Sequence, residues 1–180
     1  FSYLLAQARI ESSLDPSARA STSSAAGLYQ FTRGTWEATL GRHGAEHGLG
    51  WAQAAVTCGA MRDPTMSDRI MALRFDPDAS ARMAAELAGD NRADLSARLG
   101  REPDASELYL AHFLGSAGAA KFLEALAADP GQSAAAILPA AASANRGIFY
   151  AGGTPRSVGG VMDLIRAKVN NAMDGPMDGA

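Results

Sequence analysis

The chain has 180 residues, 47% of them hydrophobic and 19% charged, with a formal net charge of −3 and a pI near 5.6. That is enough apolar material to bury one core and too little charge for a disordered chain, and the acidic balance argues against a broad electrostatic footprint for DNA, RNA or an anionic membrane. The single Cys58 excludes an intramolecular disulfide and reads as a small core residue, and no apolar run approaches the roughly 20 residues that cross a bilayer.

Alanine recurs in nearly every segment, β-branched runs are missing and apolar residues are spaced three and four apart, so an all-α chain with no strand is expected. The first helix spans Ser2 to Ser12, starting directly after Phe1, and any export signal is expected to have been removed. A Ser, Thr, Ala and Gly stretch from Ser12 to Gly27, with Asp15-Pro16 favouring a turn, reads as a loop. Thr32 to His43 forms the next helix, with Trp36 and Leu40 on one face, while the glycine-rich Gly44 to Gly59 is left undecided. A short helix follows over Met66 to Arg74.

Asp76-Pro77 marks a helix start, an N-cap followed by proline at the first helical position. That helix carries Met83 and Leu87 and continues, with a break near Gly89, through Leu95 and Leu99 to Gly100. Asp104 and Glu107 have the spacing of a capping box, which opens a helix through Leu108, Ala111 and His112 that ends at Gly115. Ser116 then caps an amphipathic helix bearing Ala119, Phe122, Leu123 and Leu126, which stops before Asp129-Pro130. Pro139 and Gly147 punctuate the alanine-rich stretch after it. Ser157 caps a last helix bearing Val158, Val161, Met162, Ile165 and Val169, and the chain frays from Asp174-Gly175-Pro176. With no internal repeat and no linker, one domain over residues 1–172 and a frayed tail over 173–180 are expected.

Leu4, Ala8 and Glu11 share a face of the first helix, which sets a carboxylate on an apolar stripe. A glutamate there is costly unless it is paired, protonated or used. The alternative is a helix-end glutamate that caps a loop amide or pairs with Arg9 or Arg19.

Glu11-Ser12, Leu14-Asp15-Pro16, Ala18, Ser21 and Gly27-Leu28-Tyr29-Gln30, in that order, resemble the opening of the family 1 lytic transglycosylases, the soluble-type group with a lysozyme-like fold. The likeness covers residues 1–36, and Tyr109 to Phe122 is a weaker echo of the family's later Ala-Tyr-Asn-Ala-Gly motif. The spacing from Glu11 to Gln30 is one residue longer than the family's, an insertion before Ser21, and Tyr29 stands where methionine is common. Aligning Gly115 puts His112 at the tyrosine position and Phe113 at the asparagine position.

The resemblance implies a lysozyme-like helical domain with a substrate cleft, acting on peptidoglycan in the periplasm or cell envelope, alone or within an envelope-spanning machine. Nucleic acid is not among the expected partners, and no cofactor is implied. Most glycosidases need two carboxylates, whereas a lytic transglycosylase needs one. As the resemblance implies, Glu11 protonates the leaving oxygen while the N-acetyl group of the muramic sugar assists, then deprotonates that sugar's 6-hydroxyl to close a 1,6-anhydro ring. Such a glutamate must arrive protonated, with Leu4, Ala8, Leu28 and Phe31 as sources of an apolar setting.

By family position Ser21, Tyr29 and Gln30 are the expected substrate contacts, although Ser21 and Gln30 equally suit backbone groups of the loop. Tyr109, His112 and Tyr150 are further substrate-binding candidates, each with the alternative of core packing. Gly27 reads as structural and Asp15 as a turn residue, and a muramidase using Asp15 is the nearest rival. A module that binds or scaffolds without cutting is the rival from another class. His43 and His47 are four apart, yet no acidic residue follows the first of them in the zinc-protease pattern, Gly44 interrupts any helix and only a lone cysteine is nearby, so no metal is expected.

Overall fold

The structure is a computed structural model that describes residues 2–175. Its elements are helical apart from one two-stranded hairpin, and the chain divides into two compact units, Phe1–Leu87 and Ala88–Ala180.

The first unit contains α1 (Ser2–Ser12), α2 (Arg33–His43), α3 (Gly50–Thr57), α4 (Pro64–Ala72) and the start of α5 (Pro77–Leu99), which belongs to this unit up to Leu87. Thr32, expected as the first residue of this helix, instead caps α2 by accepting from the Thr35 N–H, and the helix begins at Arg33. Trp36 and Leu40 are fully buried, and the indole Nε1–H of Trp36 donates to the Ile70 carbonyl at 2.9 Å, which satisfies its polar edge inside the core. Ala8, Phe31, Ile70 and Met83 complete that apolar cluster.

The undecided stretch resolves into a 3-10 turn over Gly44–His47 and then α3. Helix α4 starts two residues before the expected Met66, because Asp63 accepts from the Thr65 N–H and Pro64 occupies the first helical position. It ends at Ala72 and gives way to a 3-10 turn over Leu73–Phe75, short of the Arg74 end read from sequence. Cys58 is exposed, contrary to its reading as a core residue: it lies one position past the end of α3, where its backbone closes the helix on Ala54. No break occurs at Gly89, where α5 is continuous.

The second unit holds the rest of α5, α6 (Ala105–Ala128), α7 (Ala134–Ile137), α8 (Pro139–Ala144), α9 (Arg146–Phe149) and α10 (Val158–Asp174). The capping box forms as expected, with Asp104 accepting from the Glu107 N–H and Glu107 from the Asp104 N–H. Gly115, at φ 73 and ψ 157, kinks α6 where the sequence placed a helix end. Ser116, expected to cap the following helix, instead donates its hydroxyl to Asp94.

Ser157 caps α10 by accepting from the Gly160 N–H, and α10 buries Val158, Val161, Met162, Ile165 and Val169 as it packs on α6. The expectation of no strand fails at β1 (Tyr150–Ala151) and β2 (Thr154–Pro155). Gly152 and Gly153, at φ 54 and 86, supply the positive-φ pair that a two-residue hairpin turn requires. Of the tail expected over 173–180, positions 176–180 lie outside the described residues, and α10 itself runs to Asp174.

Candidate active site

Glu11 is half-buried in the last turn of α1, on the stripe whose Ala8 and Leu4 enter the first unit's core. The helix ends through two consecutive non-glycine residues in the left-handed region, Ser13 at φ 54 and Leu14 at φ 65. Their N–H groups return to the carbonyls of Arg9 and Ala8 at 3.0 and 3.3 Å. The Ser12 hydroxyl has one proton and faces two carbonyls, Ala8 at 3.1 Å and Leu28 at 2.8 Å. The shorter contact ties the end of α1 to the Gly27–Gln30 turn across sixteen positions.

The loop between these segments is a backbone-bonded unit. Ala26 and Phe31 exchange two hydrogen bonds of 3.1 Å, Ala20 donates to Ala25 and the Gly27 N–H donates to Ala18 at 2.8 Å. Gly27 sits at φ +79, and a Cβ built there would lie 1.9 Å from the Arg74 carbonyl oxygen, so no larger residue fits without moving backbone. Arg74 is buried and spends its guanidinium on three carbonyls: Met71 at 3.0 Å, Ser24 at 2.5 Å and Phe31 at 3.0 Å. Burial, then the charges of Arg33 and Arg19, lower its affinity for its proton.

Gln30 occupies φ 50, and its amide nitrogen donates to the carbonyls of Gly27 at 2.9 Å and Ala18 at 3.3 Å. Its donors therefore brace the loop. Among the described residues, Ser13, Leu14 and Gln30 are the only non-glycine residues at positive φ, and all three lie between Glu11 and Gln30. Each costs on the order of 1–2 kcal/mol, and such strain gathers where a surrounding structure enforces a functional geometry.

Tyr29, an expected substrate contact, is 5% exposed and packs in the first unit's core, so its ring offers little open surface to a sugar. Burial raises its phenol above the ordinary value. Ser21 is exposed on the loop. Asp15 takes the turn role: its Oδ1 accepts from the Ser17 N–H at 2.8 Å and the Ser17 hydroxyl at 2.6 Å, and these bonds hold its carboxyl below its ordinary value.

Sequence reading missed Tyr3. Burial first, then the charge of Glu11, push its phenol well above the usual range, so a hydroxyl that keeps its proton lies within electrostatic reach of Glu11. The available signal was the two-turn spacing between the two residues on α1. A cavity of about 360 Å³ in this unit is lined by Arg19, Arg33, Asp68, Met71, Arg74 and Phe75, and Glu11 is not among its lining residues. The Arg19 guanidinium stacks 4.2 Å from the centroid of Phe75 at its wall.

Tyr109, His112 and Tyr150 belong to the second unit. Tyr109 is buried, with its ring 5.9 Å from that of half-buried His112, and the Arg146 guanidinium lies 4.7 Å from the Tyr150 ring. Among the described residues, His43, Glu46 and Glu86 each bring one side-chain N or O atom within 4.8 Å of the others, and none of the three belongs to the Glu11 site. No family model matches the chain.

Proposed function

We propose that the chain is a peptidoglycan lytic transglycosylase of lysozyme-like fold, cleaving the β-1,4 bond between N-acetylmuramic acid and N-acetylglucosamine in the bacterial envelope, with Glu11 as general acid and then base. The observation that carries the reading is local. The Glu11-Ser12 and Gly27–Gln30 segments are joined by the Ser12 to Leu28 hydrogen bond, and every described non-glycine residue at positive φ lies between Glu11 and Gln30. Strain of this kind clusters at functional sites, where the surroundings hold the backbone in place.

The Glu11 carboxyl gives its proton to the glycosidic oxygen as the C1–O bond breaks, and the muramic N-acetyl oxygen bonds to C1. The Glu11 carboxylate then takes the proton of the 6-hydroxyl, whose oxygen attacks C1 and expels the N-acetyl oxygen. Glu11 ends protonated again and no water is consumed. Asp15 favours this over a two-carboxylate hydrolase, because its Oδ1 is committed to Ser17 in a local turn.

The test is mass spectrometry of fragments released from purified sacculi. Anhydro ends are expected, with Glu11→Gln reducing their rate by about 10⁴-fold while melting is unchanged, since general acid–base steps are worth about 10²–10⁴-fold and one residue supplies both. Reducing ends would make the chain a hydrolase, and glycan binding without release a binding module.

A further inference from the structure

We propose that His43, Glu46 and Glu86 form a binding site for a borderline divalent metal ion of the zinc class, with His47 orienting Glu86 from behind. The site lies within the first unit, at the corner where α2 ends, the 3-10 turn begins and α5 passes. Sequence spacing paired the two histidines without a carboxylate beside the first. Folding brings Glu86 to them from 39 positions beyond His47, and Glu46 comes from the turn itself.

One ligand atom from each of His43, Glu46 and Glu86 falls within a mutual distance of 4.8 Å. His43 Nδ1 stands 3.4 Å from Glu86 Oε2. Two donors bound about 2.0–2.2 Å from one tetrahedral ion stand about 3.4 Å apart, whereas a charge-assisted hydrogen bond closes to about 2.7–2.9 Å. His47 supplies the contrast, with its Nε2 2.7 Å from the other Glu86 oxygen, Oε1. Glu86 therefore has one oxygen held by an imidazole and the second at ligand spacing from another, which is how a supporting residue fixes a metal-binding carboxylate.

The side chains of His43, His47 and Glu86 are 18%, 21% and 29% exposed, and Glu46 is on the surface. The ligands are thus partly desolvated on one side and open to solvent on the other. Three protein ligands leave a fourth position for water, and an imidazole with two carboxylates suits zinc, cobalt or nickel over magnesium or calcium.

The experiment is calorimetric titration of the EDTA-treated, dialysed chain with zinc sulfate, with magnesium as the control, followed by thermal melting with and without zinc. One zinc per chain is expected, and a rise in Tm of about 5–10 °C at a hundredfold excess over Kd. Glu46→Gln, at an exposed position that costs the fold least, and His43→Ala should each weaken zinc binding by at least about 100-fold, and His47→Gln by about 10–100-fold. Melting of each variant in EDTA establishes that it folds, and Glu46→Gln decides the matter if His43→Ala does not. Absence of zinc binding, or binding that survives Glu46→Gln and His43→Ala at parental affinity, overturns the site. The readouts involve no glycan cleavage, so they stand or fall apart from the function of Glu11.

Discussion

Gly27→Ala tests whether the motif loop is held by the close approach of two backbones. Gly59 is the matched control, since it sits at φ +81 with no atom within 4 Å of a built Cβ, whereas Gly27 at φ +79 meets the Arg74 carbonyl oxygen at 1.9 Å and its carbon at 2.8 Å. Both substitutions incur the left-handed penalty of about 1–2 kcal/mol, offset in part by about 0.5–1 kcal/mol of unfolded-state entropy that alanine does not lose. Only Gly27→Ala adds overpacking against backbone, which costs about 1–3 kcal/mol and displaces the Arg74 carbonyl. We expect Gly59→Ala to destabilise by about 0.5–1 kcal/mol and Gly27→Ala by about 2–4 kcal/mol, read as a lowered urea midpoint at unchanged slope. Release of sacculus fragments should fall with Gly27→Ala and stay parental with Gly59→Ala. Equal destabilisation of the two variants would refute the close-approach argument.

Ser13→Gly should stabilise the fold by about 0.5–1 kcal/mol, because glycine relieves the strain at φ 54, and denaturant melting would show it. Loss of stability there would mean that Ser13 is not strained. The Arg101 guanidinium holds Glu107 through bonds of 2.8 and 2.7 Å and keeps its carboxyl below its ordinary value near 4.5, against the opposing effect of burial. The stability this gives is fully present above pH 4.5 and is lost as pH falls through the lower folded value. Arg101→Gln should therefore reduce Tm at pH 7, with the gap to the parental Tm narrowing as pH falls below 4.5, and a gap that does not narrow would assign the effect to something other than ionised Glu107.

What was legible in the sequence was local. Thr32, the Asp104 and Glu107 box and Ser157 each cap a helix within four residues of themselves, and the apolar stripe of α10 follows from its own period. Asp63-Pro64 carries the same cap-and-proline signal as Asp76-Pro77, and it sets the start of α4 two residues before the expected Met66. Tyr29 could not be placed from the motif, because its burial depends on Ala8 of α1 and Trp36 of α2, which share its core cluster. The role of Arg74 was equally hidden: its carbonyl partners Ser24 and Phe31 lie 50 and 43 positions away, and nothing in its neighbourhood announces them.

Those long-range contacts bear on Glu11, as its own helix does. The end of α1 is fastened to Leu28 by Ser12, the Gly27 turn is seated against the Arg74 backbone, and the Arg74 side chain holds Ser24 and Phe31 on either side of that turn. An ordinary helix terminus frays, and a carboxylate on it would sample many orientations. Here two strained residues, Ser13 and Leu14, begin two positions after Glu11, and strain persists only where the surroundings over-determine the backbone. The position of the carboxylate is thus set by the turn after α4 as much as by α1. Damage to the anchor would lower activity by disordering Glu11, with a matching loss of stability, whereas Glu11→Gln removes the proton and leaves the anchor intact.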